Sequence, residues 1–234
     1  MAINWFPGHM KKTQREIREN LKLVDAVIEI RDARIPISSA NPDIDKIVGT
    51  KPRIILLNKS DLAEKKVTAE WIKYLSSDTI KVLEVNCLKG IGLNAIKPAL
   101  LELLKEKHDR LKAKGVVKIV SRVMVVGIPN CGKSTFINKM ARNSIAKTGD
   151  RPGVTKNKQW IKTSLDMELL DTPGVLWPKF DDENTALNLA FTGAIKDEVM
   201  DIEDLSYRLV ERLQKYYGEA LKTRYKLDEI FEDP

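Results

Sequence analysis

The sequence predicts an α/β fold with a mostly parallel sheet, followed by a small all-α C-terminal part. Three observations predict it. Short strand-like segments (Val27–Ile30, Arg53–Leu57, Lys81–Val85, Val117–Val126) alternate with segments of helical spacing, the pattern of a sheet covered on both faces. Several strands run straight into loops rich in Asn, Asp and Gly, at Asn58, Asn86, Gly127 and Asp171. After Pro178 only helical patterns remain.

The elements follow in order. Met10, Ile17, Leu21 and Val24 fall on one side of a segment rich in Lys, Arg and Glu, a basic amphipathic helix. Val27–Ile30 reads as a buried strand, and Asp32 to Pro42 as a loop with turn chemistry. Arg53–Leu57 is a second strand, Val67–Leu75 a helix and Lys81–Val85 a third strand. Leu93–Leu111 carries Ile96, Leu100, Leu103, Leu104 and Leu111 on one side, a long amphipathic helix that Gly115 is placed to end. Val117–Val126 is a strand leading into Gly127, and Ser134–Met140 a helix. Gln159–Thr163 and Met167–Leu170 form a strand pair. Ala186–Ile195, Leu205–Tyr217 and Glu219–Phe231 read as short helices. The expected organisation is a basic helical segment at 1–23, an α/β domain at 24–178 and a helical domain at 179–234.

Bulk properties narrow the classes. The chain has 234 residues, 43% apolar and 31% charged, ordinary for a globular protein with ample core material. The charged N-terminal stretch is unlike a secretory leader, and the apolar runs are too short to span a bilayer. Cys87 and Cys131 cannot form a secreted disulfide framework, so a reduced, cytoplasmic setting is expected. The net charge of +7 is uneven. Asp181–Pro234 has 7 Lys+Arg against 14 Asp+Glu, and the rest has 33 against 19. A basic body suits a polyanionic partner, nucleic acid first. The alternative is a solvated surface.

The strongest motif is Gly127-Ile-Pro-Asn-Cys-Gly-Lys-Ser134, placed between a strand and a helix. Such a loop wraps phosphate with backbone N–H groups at a helix start. Asn130, Cys131, Gly132 and Thr135 belong to this cradle. Lys133 is expected to reach the β- and γ-phosphates, and the Ser134 hydroxyl to hold Mg²⁺. Asn58-Lys59-Ser60-Asp61 also follows a strand. The Asp61 carboxylate can accept from both guanine N1–H and the exocyclic amine, which adenine does not match. Lys59 can pack its stem over the base. Together the two motifs select GTP and GDP.

Asp171-Thr-Pro-Gly174 ends a further strand. Asp171 suits a Mg²⁺-bound water, and the Gly174 N–H a γ-phosphate. Thr155, in Arg151-Pro-Gly-Val-Thr155, is a candidate to close the magnesium shell. Asn86-Cys87 can bring a backbone N–H to guanine O6.

These elements resemble the P-loop GTPase superfamily, with one difference of order. Both guanine-reading motifs, at Asn58 and Asn86, precede the phosphate loop. That order, with Trp5-Phe-Pro-Gly-His-Met10 and Asp32-Ala-Arg-Ile-Pro36, resembles the circularly permuted YlqF/RbgA family of ribosome-assembly GTPases. The resemblance is specific from Trp5 to about Pro178. It implies a permuted GTPase domain that acts on the large (50S) ribosomal subunit precursor and contacts ribosomal RNA. Asn86-Cys87 departs from the usual small-polar-alanine form of its motif.

Many GTPases place a water-orienting glutamine after Asp-x-x-Gly. Here Val175 stands there, so slow basal turnover and external stimulation are expected. His9, in the Phe-Pro-Gly-His loop, is the candidate replacement, since an imidazole can position water. Arg151 is a candidate to stabilise transition-state charge, with a plain surface residue as the alternative, and His108 is expected to be solvated. Asn130 resembles the asparagine of potassium-stimulated GTPases, which makes K⁺ a candidate cofactor. Both thiols are expected to be packed rather than redox-active. Because the chain leaves the domain just after Gly174, switch ordering is expected to move the C-terminal helices. Candidate RNA contacts are Lys11, Lys12, Arg15, Arg18 and Lys22, with Lys105, Lys107, Arg110, Lys112 and Lys114. No stable membrane association is expected, and the chain is expected to be a monomer. The competing readings are a nucleotide-gated RNA-binding module with negligible turnover and a GTPase acting on another RNA.

Overall fold

The computed structural model describes residues 9–142, 160–163, 165–172, 174, 176–177, 182–195 and 201–229, with side chains for all but 9–14 and 142. Contacts divide the chain into two compact units, one ending at Lys179 and the other beginning at Phe180.

The first unit is built on a six-stranded sheet in the order β3-β2-β1-β4-β6-β5. Its strands are β1 (Ala26–Asp32), β2 (Arg53–Asn58), β3 (Ile80–Glu84), β4 (Ser121–Gly127), β5 (Trp160–Lys162) and β6 (Met167–Asp171). All neighbours pair parallel except β5, which lies antiparallel on the edge against β6. The helices are α1 (His9–Leu21), α2 (Pro42–Val48), α3 (Lys65–Leu75), α4 (Ile96–Leu103), α5 (Lys105–Ala113) and α6 (Lys133–Arg142). Every residue of β1 and β2 is buried, as central parallel strands require. Ile55, Leu57 and Val82 pack with Ala33 under Trp71, Ile72 and Leu75 of α3. The expected α/β class is therefore observed.

Parallel pairing brings the carboxyl ends of β1, β2, β4 and β6 to one edge. Asp32 is level with Asn58, Ile30 with Gly127, and Val125 with Asp171. In such sheets the crevice beyond these ends is where ligands bind.

The structure corrects several expected boundaries. Strand β4 begins at Ser121, not Val117. Its neighbours start only there, with Met167 opposite Ser121 and Ala26 opposite Val123, so the earlier valines have no strand beside them. The helix expected over Leu93–Leu111 starts as a 3-10 turn and bends at Leu104 (φ −102°, ψ 14°). Its hydrogen bonds continue through the bend, from Leu104 N–H to Leu100 and from His108 N–H to Leu104. Past the bend His108 is buried, with Nε2 3.2 Å from Ser121 Oγ, so it is not solvated. Gly115, at φ +81°, does end this helix, with its N–H on the Lys112 carbonyl. Helix α2 begins where the expected loop ends and was not anticipated; Asn41 caps it and Pro42 opens it.

The second unit contains α7 (Glu183–Phe191) and α8 (Ile202–Tyr225). Asp182 and Asp201 cap them. The two expected last helices are one, kinked at Tyr217 (φ −136°, ψ 27°) just before Gly218, and it stops at Tyr225 rather than Phe231. Arg212 donates to Asn184 at 2.7 Å and to Asn188, and lies 5.5 Å from the centre of the Phe191 ring. No helix among the described residues is long and apolar enough to cross a membrane.

Candidate nucleotide-binding site

The loop from β4 to α6 has the backbone that phosphate wrapping requires. Asn130 (φ +57°) and Gly132 (φ +101°) take left-handed conformations that reverse the chain so that helix α6 can start at Lys133. Gly132 is constrained further. A Cβ there would lie 2.1 Å from Asn58 Nδ2. The loop borders a cleft of about 400 Å³ lined by Asn130, Gly132, Lys133, Ser134, Thr135 and Gly174, among others. Gly174 follows β6, and its Cβ position lies 3.2 Å from Pro129 N, so a larger residue would press on the loop.

Asn58 joins the predicted motifs. Its Nδ2 donates to the Cys131 carbonyl at 2.8 Å, and its Oδ1 accepts from the Cys87 N–H at 2.9 Å. One buried side chain thus ties the end of β2 to the phosphate loop and to the Asn86-Cys87 loop. Lys59 turns left-handed (φ 60°, ψ 34°) and places Nζ 3.0 Å from Asp32. Ser60 opens a single 3-10 turn, with its N–H on the Val85 carbonyl at 3.2 Å. Asp61 is partly exposed and pairs with Lys89 at 3.2 Å. Asn86 shapes its own loop, accepting the Lys89 N–H on Oδ1 and the Gly90 N–H on its carbonyl.

At the phosphate side, Lys133 Nζ lies 2.8 Å from Asp171 Oδ1. Two structural details have no counterpart in the sequence reading. The Thr172 hydroxyl is buried and donates to the Val125 carbonyl at 2.7 Å, which anchors the start of Asp-Thr-Pro-Gly. A further group, Glu29 and Arg31 of β1 with Arg53 of β2, is buried. Arg31 reaches Glu29 at 2.7 Å, Arg53 reaches Glu29 at 2.9 Å, and Arg53 also meets Asp45 of α2. Arg31 additionally donates to the Pro36 carbonyl at 3.5 Å.

Both thiols are buried. Burial, then the neighbouring Cys131, pushes the Cys87 thiol up to about 12. Burial pushes Cys131 up to about 11, against the opposing pull of the Lys133 backbone and charge. They are packed thiols, as expected.

A divalent cation fits this donor set in one way. Among the described residues no cluster of His, Cys, Asp or Glu can hold a metal by itself. The cleft offers the Ser134 hydroxyl, with the Asp171 carboxylate across from Lys133. Such a hard, sparse oxygen set suits Mg²⁺ whose remaining ligands are phosphate oxygens and water.

Thr155, Arg151 and Val175 lie outside the described residues. The chain at His9 is helical, the first residue of α1 rather than part of a loop, and its side chain is not among those described.

The comparisons agree with this geometry. A family model described as a 50S ribosome-binding GTPase matches residues 122–227. Ribosome biogenesis GTPase A of Bacillus licheniformis is 54% identical over 233 residues, covering 100% of this chain and 82% of that protein. Mitochondrial ribosome-associated GTPase 1 of Bos taurus is 35% identical over 242 residues, covering 99% of this chain and 72% of that one. The crystal structure of GNP-bound YlqF from T. maritima matches with a TM-score of 0.59 and 28% identity, over 94% of this chain and 78% of that one. The parallel sheet, the phosphate loop and its late position in the sequence, together with these relatives, establish that the chain is a GTPase of the ribosome biogenesis GTPase A (YlqF/RbgA) family.

Proposed function

We propose that the chain acts in assembly of the large ribosomal subunit, hydrolysing GTP slowly alone and faster on the ribosomal particle. The observation that supports the site reading most is Asn58, which ties the phosphate loop and both base-reading loops together. The family description, 50S ribosome-binding GTPase, supports the partner.

In this reading the N–H groups of residues 130–135 hold the phosphates. Lys133 leaves Asp171 for the β- and γ-phosphate oxygens, and Gly174 N–H meets the γ-phosphate. Asp61 exchanges Lys89 for the guanine N1–H and exocyclic amine, while the Lys59 stem lies along the base. The Cys87 N–H is given to Asn58, so the O6 contact falls to the next amide of that loop. Ser134 and Thr155 would hold Mg²⁺ directly and Asp171 would hold it through water; when bound, the ion neutralises charge on the phosphates.

Val175, which cannot orient water, supports slow basal hydrolysis. His9 is the proposed water-positioning group, acting when the chain is bound to the particle. Unchanged stimulated turnover in His9→Ala would overturn this role. Asn130 is the proposed K⁺ ligand, and equal rates in NaCl and KCl would overturn that. Exposed Arg15 and Arg18 of α1 and Lys22 just after it are the proposed RNA contacts, with Lys105, Lys112 and Lys114; the side chains of Lys11 and Lys12 lie outside those described. Lys107 and Arg110 are weaker, since they pair with Asp25 and Glu106. The segment from 179 onward is proposed to respond to the switch that precedes it. GDP- and GTP-analogue structures with no shift would count against that.

Co-sedimentation with purified subunits tests the partner. Binding to large subunits with a non-hydrolysable GTP analogue, and release with GDP, is the expected result. Equal binding to both subunits in either nucleotide would overturn it.

A further inference from the structure

Asp32 ends β1 level with Asn58, while Gly127 sits opposite Ile30 two residues earlier. It therefore stands between the base-reading loop and the phosphate loop. Its side chain is only 3% exposed, yet it is surrounded by donors. Oδ1 accepts from the Arg34 N–H at 3.1 Å and from Arg34 Nε at 2.9 Å. Oδ2 accepts from Arg34 Nη2 at 2.7 Å and lies 3.0 Å from Lys59 Nζ. Burial alone would raise this carboxyl's pKa, but Arg34 and then Lys59 outweigh it and hold it below the usual range. The group is thus a buried anion whose two cations come from its own loop and from the base-reading loop.

A lysine samples many rotamers, and a contact that needs one of them costs conformational entropy. A charge-assisted bond to a rigid, buried acceptor removes that freedom before any ligand arrives. Arg34 meets the carboxylate with both Nε and Nη2 and so fixes its direction. Lys59, left-handed just after β2, then has its ammonium anchored at Asp32, which fixes both ends of its stem.

We propose that Asp32 is a positioning residue for guanine-nucleotide binding, pinning the Lys59 ammonium so that the Lys59 stem forms a fixed wall beside the base read by Asp61. This rests on the reading of Asn58–Asp61 as the base-reading loop. The competing role is local, since Asp32 accepting the Arg34 N–H also shapes the turn after β1.

The two roles separate in a double-mutant cycle on the full chain, using fluorescent GDP to measure affinity and dissociation rate. Asp32→Asn and Lys59→Met are each expected to weaken GDP by about 10-fold, and the double variant no further than the weaker single. Wild-type affinity in Asp32→Asn would overturn the proposal. So would a loss from Asp32→Asn that persists in full on the Lys59→Met background, the mark of turn-shaping alone. Should Asp32→Asn fail to fold, a crystal structure of the wild-type GDP complex decides. Lys59 Nζ within about 3.5 Å of the Asp32 carboxylate is expected, and a Lys59 turned elsewhere overturns the proposal. A wild-type chain that binds no GDP would instead overturn the site reading itself.

Discussion

Asn58 donates from Nδ2 to the carbonyl of Cys131, 73 residues later in the chain, at 2.8 Å. The bond joins the end of β2 to the phosphate loop, and the same side chain accepts the Cys87 N–H. The motifs therefore meet although the base-reading ones precede the phosphate loop in the chain. The sheet edge brings them together, and Asn58 fastens them.

Replacing Asn58 by Ala leaves the Cys131 carbonyl and the Cys87 N–H without their side-chain partner. The expected loss is about 2–3 kcal/mol of stability, two bonds to buried groups. Urea unfolding measures it, and GDP and GTP affinity should fall in parallel. A variant of unchanged stability with unchanged nucleotide binding would contradict the fastening role.

The Glu29–Arg31–Arg53 group makes a second prediction. Glu29→Ala leaves two buried guanidinium groups with only the half-exposed Asp45 carboxylate as counter-charge, and a loss of about 3–5 kcal/mol is expected. Asp45→Ala, whose carboxylate is half exposed, should cost under about 1 kcal/mol. Chemical denaturation of both variants compares them directly. Similar losses would contradict the leading role of Glu29 in the network.

This group also shows where the sequence stops being legible. In Val27-Ile-Glu-Ile-Arg-Asp32 the polar residues interrupt an apolar strand, and nothing local says that they are buried. Glu29 meets Arg31 within the strand but also Arg53, 24 positions away, and Asp32 meets Lys59, just after the next strand. The strands and the phosphate loop were readable because their signals are local: apolar runs, and glycines where the backbone must turn. His108 was misread for the opposite reason. It sits among charged neighbours in Lys105–Ala113, but its partner Ser121 is set by the bend at Leu104. The Asp32-Ala-Arg-Ile-Pro36 segment was visible as a motif, yet the role of Asp32 required the contact with Lys59.

His108 gives stability a pH dependence. Burial, then the nearby Lys107 charge, lowers its pKa below 6.5 in the folded chain. The unfolded chain then takes up the proton first as pH falls. The contribution is complete above about pH 6.5 and is lost on descending through the folded value. His108→Gln should remove this slope and still bond Ser121. Urea midpoints at pH 8 and pH 5.5 for both proteins test it, and an identical pH slope in the variant would contradict the buried, neutral state.

The thiols make a chemical prediction. With pKa values of about 12 and about 11 for Cys87 and Cys131, almost no thiolate is present at neutral pH. A thiol reagent should modify the native chain only as fast as it opens, and both cysteines at once in urea. Rapid labelling of either residue in the native chain would contradict their burial.

The proposed dependence of hydrolysis on the large ribosomal subunit is open to one decisive measurement, GTP turnover of the full chain with Mg²⁺ and KCl, alone, with small subunits and with large subunits. Slow turnover is expected alone and with small subunits, and a rise of about 10³- to 10⁵-fold with large subunits. Turnover that is the same in all three conditions would contradict it.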